Sequence, residues 1–559
     1  MSGRWGPEHQ GERQQPRISP RWIAWVIIAL AVYGITQDGI YAGNPSHKLV
    51  PVIAGLVILA VLALLGLPAS MQRRLLKPFL GQTTGEGQRR AAAAGGQRRS
   101  GGKPTSAATP ADLLKDARDV CWRAGGGPYL GLTAQGQRRY GRGERAVLIL
   151  GPPRSGKTSS VIIPTLLSHT GPVVSTSTKP DVLQATRLAR GRAGRVWVFD
   201  PTASNSRDRG GGLELRWSPV SSATMWDGAL LTARAMTSTV GVGVTDRSHW
   251  SSRAQALLAP MLHAAAVHGL DMGAVVGWVM GHDLDEPGTL LEDERCSEIA
   301  FQTLAGVFHT EARERSSILS AAADAIQAYS SEKALQSARI PNFNPTEFVQ
   351  SFDTVYIHAP AEQQAAAAPL VCGLLSEIRR ATYQVHANRQ LTGRVLFALD
   401  EAANIAPLEE LPQIASEGAG QSLILLAALQ DLSQARARWG EQADGFLTLF
   451  GTKLILPGVA DTKTLEAVST MLGEYDRQVV SHSHPQTGLA EAILGSSGPA
   501  QKPTSTYSTQ RTRVLSPGEV ANIPTGKALH LDGVKWELVT LTPAHAREPW
   551  RTLVTTPQP

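Results

Sequence analysis

The stretch LILGPPRSGKTSS, Leu148 to Ser160, decides the fold. Gly151, Gly156, Lys157 and Thr158 fit the pattern G-x-x-x-x-G-K-[S/T], with the apolar run Ala146 to Leu150 before it and Val161 to Leu167 after it. The first run reads as a buried strand and the second as a helix. Glycines between them let backbone N–H groups turn inward around phosphate oxygens, and the helix N-terminus adds its positive dipole end. Gly151, Pro152, Pro153, Arg154, Ser155, Gly156, Lys157, Thr158 and Ser159 are therefore the expected cradle for ATP. Lys157 is placed to reach the β- and γ-phosphates, and the Thr158 hydroxyl to bind Mg2+.

Such loops serve kinases, GTPases and motors alike, so the rest of the chain has to choose. In RVLFALDEAANI an apolar strand, Val395 to Leu399, runs directly into Asp400 and Glu401. Two carboxylates at the end of a buried strand are costly without a cation beside them. Asp400 is the expected Mg2+ ligand, and Glu401 the base that takes a proton from the attacking water. A base directly after the magnesium-binding Asp marks RecA-like motor ATPases. A third apolar strand, Ser422 to Leu429, ends in Gln430, the candidate γ-phosphate sensor; a Gln capping a buried strand is the equally simple alternative.

Charge is unevenly placed. Thirteen basic and four acidic residues up to Lys103 give that region +9, while the whole chain carries +7, so the remainder stands at −2. Bulk basicity is thus no argument for nucleic-acid binding by the nucleotide domain. The three cysteines, Cys121, Cys296 and Cys372, lie far apart and exclude a disulfide framework or zinc ribbon. Apolar stretches at about 22–41 and 49–67 each approach the roughly 20 residues of a membrane-crossing helix. Basic residues before the first and after the second put both ends in the cytoplasm by the positive-inside rule. A cleaved signal peptide is the rival reading of the first stretch. Beyond the spans, Gly, Ala, Gln and Arg dominate, with GQRR at Gly87 and again at Gly96, as in a basic tether.

Between Ser221 and Arg339 strand signals give way to helical ones. WSSRAQALLAPMLHAAAVHG reads as one helix ending at Gly269, and TEARERSSILSAAADAIQAY as another closed near Tyr329. Arg313 and Arg315 there read as a solvated face. His482 and His484 lack further ligands nearby and read as a polar loop, as does SSGPAQKPTSTYSTQ from Ser496. Neither a G-x-S-x-G elbow nor an H-E-x-x-H helix occurs in the sequence.

Taken in order, the pieces resemble the TraG/TraD-type conjugative coupling proteins of type IV secretion systems. The phosphate loop is followed by VIIPTLL, PVVSTSTKPDV, RVWVFDP, WSPV at Trp217, HW at His249 and RERSSIL at Arg313. FDTVYIHAP then precedes LDEAANI, AALQDLSQARARWG follows it, and RTRVLSPGEVANIPTGKALHL lies near the end. The resemblance implies an α/β fold: a RecA-like P-loop ATPase domain (118–220 and 341–545) with an inserted all-α domain (221–340). A membrane anchor (1–78) with two transmembrane helices and a linker (79–117) precede it, and a tail (546–559) follows. It also implies a homo-hexameric ATPase in the inner membrane, with its ATPase domain in the cytoplasm. Its expected partners are single-stranded DNA with its relaxase, or other protein cargo, and the components of a type IV secretion channel. A cargo receptor using ATP as a docking switch and an FtsK-type septal translocase are the alternatives. Two departures stand out. Lys179-Pro180-Asp181 replaces the family's Lys-Gly-Glu/Asp, and SEGAGQ (Ser416 to Gln421) lacks the arginine common in relatives, leaving Arg436, Arg438, Arg511 and Arg513 as weak candidates for a trans-acting finger.

Overall fold

The computed structural model describes residues 109–202, 211–239, 247–483 and 504–554. The two apolar stretches at 22–41 and 49–67, most of the basic linker, and His484 lie outside these residues. Among the described residues no helix is long and apolar enough to cross a membrane.

A twelve-stranded sheet organises the chain from Ala107 onward. Its strands are β1 (Gly126–Leu132), β2 (Arg138–Arg142), β3 (Val147–Leu150), β4 (Val173–Ser177), β5 (Val196–Phe199), β6 (Leu213–Glu214) and β7 (Thr354–His358). β8 (Val395–Leu399), β9 (Leu423–Leu429) and β10 (Thr452–Ile455) follow. β11 (Glu474–Ser483) and β12 (Thr504–Arg513) form a separate hairpin, and β13 (Lys527–Asp532) and β14 (Lys535–Thr540) return to the sheet. The order is β2-β1-β14-β13-β10-β3-β9-β8-β4-β7-β5-β6. From β10 to β6 all neighbours are parallel, whereas β13, β14, β1 and β2 extend the sheet antiparallel.

Strands β3, β8 and β9 are apolar at every position because both faces are covered. Side chains still alternate. Leu148 and Leu150 of β3 join one apolar cluster with Phe397, Leu399, Leu425 and Leu429, while Val147 and Ile149 join the other with Leu396, Ala398 and Leu426. The first cluster runs without a break into the helices Trp226–Thr237, Arg247–Val267, Ala312–Ala325 and Gln364–Ala387. The second lies under the helices Pro110–Arg123, Ile163–Ser168, Asp181–Gly191 and Trp550–Leu553. Among the described residues, everything between Pro219 and Val349 is helix, turn or loop, and it packs on the same core as the sheet.

Four readings change. The helix Pro110–Arg123 occupies the end of the stretch expected as linker (79–117). Thr109 and Asp112 nucleate it through a capping box, each side chain bonding the other's backbone N–H. The expected tail (546–559) carries the helix Trp550–Leu553, whose buried Trp550 meets Tyr129 edge-on with ring centroids 5.6 Å apart. Residues from Thr504 are strand rather than loop, and His482 lies in β11 opposite Ser505. With both faces of the hairpin exposed, its polar sequence offers no inside–outside alternation to read. Finally, the helix after the phosphate loop starts with a π-helical turn, Thr158–Ile162, before the α-helix Ile163–Ser168. Ile163 N–H donates to Thr158 O, five residues back. Pro164 explains the shift, since it offers no N–H and its ring crowds the carbonyl four residues earlier.

Candidate functional site

Parallel strands all point their C-terminal ends to one side, where open α/β sheets bind ligands. At that edge β9 lies between β3, which feeds the phosphate loop, and β8, which carries the carboxylates. The loop leaves β3 through Gly151, whose N–H donates to Leu429 O at 3.1 Å. A side chain at Gly151 would collide with Leu456, a Cβ there standing 2.9 Å from Leu456 Cβ. Arg154 and Gly156 have φ of 65° and 95°, a left-handed geometry that glycine accepts and arginine adopts at a cost. The strain curls the loop into a concave surface.

Lys157, only 6% exposed, donates to Gly151 O at 2.6 Å and Pro152 O at 3.2 Å. Its ammonium stands 3.9 Å from Glu401 Oε1. Thr158 Oγ1 donates to Asp400 Oδ2 at 2.7 Å, joining residues 242 positions apart in the chain. Asp400 is held from behind as well, with Thr176 Oγ1 donating to its carbonyl at 2.7 Å and Glu401 N–H donating to Oδ1 at 3.1 Å. Glu401 sits at φ 50°, ψ 45°, left-handed like Arg154, and opens the short helix Ala402–Ile405. Asp400 is 6% exposed, and burial pushes its carboxyl above the usual range, against the pull of the Thr158 hydroxyl and the Lys157 ammonium. The Ser155 hydroxyl oxygen is buried with no hydrogen-bond partner.

These side chains line one cleft of about 590 Å³, together with Pro152, Pro153, Arg154, Gly156 and Ser159. Ser177, Lys179 and Asp181 form part of its wall, Pro180 preceding the helix Asp181–Gly191. Gln430 ends β9 on the same side but does not line the cleft; its N–H donates to Gln434 Oε1 at 3.0 Å. His545 and Val554 do line it, and sequence reasoning missed both. Neither belongs to a motif, and only the folding back of the chain end brings them there. Of the arginines considered as fingers, Arg436 pairs with Asp461 at 2.9 Å and Arg513 with Glu466 at 2.5 Å, while Arg511 is largely exposed.

The residues present fit a magnesium nucleotide. A buried, destabilised carboxylate touches a hydroxyl at the end of the phosphate loop, a lysine stands beside both, and an orphaned serine hydroxyl lies in the loop itself.

Comparison with known proteins gives a consistent result. The family model described as type IV secretory system conjugative DNA transfer matches residues 102–535. The chain is 24% identical over 358 residues to "Protein VirD4" of Rhizobium rhizogenes, covering 61% of this chain; it spans about half (51%) of that relative's length. Among solved structures, the unbound monoclinic form of the bacterial conjugative coupling protein TrwBdeltaN70 superposes with a TM-score of 0.55 at 20% identity, covering 80% of this chain and 96% of that one. The plasmid coupling protein TrwB in complex with the ATP analogue ADPNP gives 0.55 at 18% identity, covering 83% and 98%. TrwB in complex with ADP and Mg2+ gives 0.52 at 19%, covering 71% and 85%. At these identities the likeness concerns the fold: a mixed α/β architecture around a large, mostly parallel sheet.

Proposed function

The chain belongs to the family of type IV secretory system conjugative DNA transfer proteins, and from that premise we propose that it is a coupling ATPase. In this reading it binds ATP and Mg2+ and uses hydrolysis to dock or move relaxase-bound single-stranded DNA toward a type IV secretion channel. One observation carries it: the 2.7 Å contact between Thr158 and Asp400, with Lys157 and Glu401 paired beside it. The complexes of TrwB with ADPNP and with ADP and Mg2+ support the same ligands here.

Thr158 and Asp400 would hold the metal, which when bound neutralises charge on the phosphate oxygens. Lys157 would exchange its carbonyl partners for the β- and γ-phosphates, and the Ser155 hydroxyl and the loop amides would take the remaining oxygens. Glu401, at the rim of the same cleft, would accept the proton of the attacking water. Gln430 would report γ-phosphate only after a side-chain movement into the cleft. Residues 221–340 serve in this reading as an inserted helical domain within a RecA-like unit. The stretches 22–41 and 49–67 serve as two transmembrane helices that gather six copies in the plane of the inner membrane. Reporter fusions at Asn44 and Gly101 check this topology, with an outside signal expected at Asn44 and an inside signal at Gly101.

The functional test is mating. Lys157→Ala should reduce DNA transfer to background while the protein accumulates normally, and transfer at the wild-type level would sink the coupling role. ATPase rate against protein concentration separates a ring motor from a docking switch. A ring predicts a steeper than linear rise, enhanced by single-stranded DNA at low salt. A docking switch predicts constant specific activity that DNA does not alter.

A further inference from the structure

The cleft extends beyond what phosphates and metal require. Gly151 to Thr158 claim the phosphate end, and Asp400 with Glu401 claim the far edge. The wall that remains has a polar part, Ser159, Ser177, Thr178, Lys179 and Asp181, and four further residues, Ile163, Ala185, His545 and Val554. Three of these four are apolar and one is a flat imidazole, side chains that suit a ring rather than an anion.

The segment Ala544–Val554 is held against the cleft. The turn Ala544–Ala546 packs on Thr158–Ile162, the first turn after the phosphate loop. The helix Trp550–Leu553 packs on Asp181–Gly191 and on Ile163–Ser168. Trp550, Leu553 and Ala544 are buried in the cluster under the sheet, whereas His545 between them is exposed. Ala544 and Trp550 thus fix the backbone on either side of His545, and Leu553 fixes the residue before Val554, which limits the ordering left to be done when a ligand arrives.

We propose that His545 and Val554 form the base-side wall of the nucleotide site, the imidazole stacking on the base and Val554, Ala185 and Ile163 closing around the nucleoside. This deepens the coupling-ATPase reading and rests on its placement of the phosphates. It makes the C-terminal segment a part of the binding site supplied from almost 400 residues beyond the phosphate loop.

Affinity of the full-length protein for two ligands tests it: ATP, which carries a base, and inorganic tripolyphosphate, which does not. His545→Ala should weaken ATP roughly threefold to tenfold, the range of an aromatic stack, and leave tripolyphosphate unchanged. His545→Phe, which keeps a flat ring, should bind ATP within about twofold of wild type. Lys157→Ala should weaken both ligands; if it weakens neither, the phosphate assignment fails, which is a separate matter from the wall. ATP affinity unaltered by His545→Ala would overturn the proposal. So would equal losses for both ligands, or a Phe variant as weak as the Ala variant.

Discussion

The two ends of the parallel strands are built on opposite terms. Where the strands begin, Arg190 is 1% exposed and makes four hydrogen bonds: it donates to Thr354 Oγ1 at 2.7 Å and to the carbonyls of His169, Gly171 and Phe352 at 2.7, 2.8 and 3.2 Å. Asp353 beside it accepts from Arg195 N, Arg195 Nε and Trp197 Nε1. His169 Nε2 meets Arg394 O at 2.8 Å. Where the strands end, Asp400 is buried at a cost, Arg154 and Glu401 hold left-handed backbone, and the Ser155 hydroxyl has no partner. The same helix, Asp181–Gly191, touches both ends, with Asp181 in the cleft and Arg190 among the carbonyls. Around Arg190 the groups just named are paired, although the neighbouring Arg118 Nε and Nη2 are buried without partners; at the cleft, left-handed backbone, a destabilised carboxylate and an orphaned hydroxyl occur together.

The largest effect expected is at the satisfied end. Arg190→Met strips four acceptors of their donor and should cost about 3–5 kcal/mol, read as a lower urea midpoint. A loss below about 1 kcal/mol would make the two ends equivalent. Asp400→Asn should behave in the reverse sense. Turnover should fall on the order of 10²–10³-fold, about 3–4 kcal/mol in the transition state. Yet the protein should melt higher at neutral pH, because a carboxylate whose pKa is raised in the fold destabilises it above that pKa. That gain should vanish as pH falls and both forms become neutral. A variant that lost stability together with activity would show Asp400 to be a structural residue.

At neutral pH the smallest effect concerns His169, whose contribution changes only in acid. Burial, then the Arg190 charge, draws its pKa down to about 3, so the folded protein keeps it neutral while the unfolded chain protonates near 6.5. Stability from this group is therefore complete above about pH 6.5 and is lost progressively toward pH 3. Replacing it by Gln should flatten the acid limb of a stability–pH curve; an unchanged limb would place the acid sensitivity elsewhere.

The cleft was more legible in the sequence than the anchored end. β8 begins and ends where its apolar run does, and β9 starts one residue late because Ser422 adopts φ 64°. Asp400 and Thr158 could be paired because phosphate binding demands particular residue types at fixed spacings. Arg190 and His169 had no such signal, since carbonyl partners carry no side-chain identity. The π-helical turn needed the geometry of Pro164, and His545 needed the return path of the chain. Local chemistry announces itself, and distant packing does not.

In the proposed reading Glu401 is the base of a hydrolytic site, and Glu401→Gln tests that most directly. The substitution keeps the size and polarity of a side chain that faces Lys157 at 3.9 Å, and removes its negative charge together with the ability to take a proton. ATP affinity should stay within about threefold of wild type, while turnover falls roughly 10²–10⁴-fold. Turnover near the wild-type rate, with binding intact, would contradict the account.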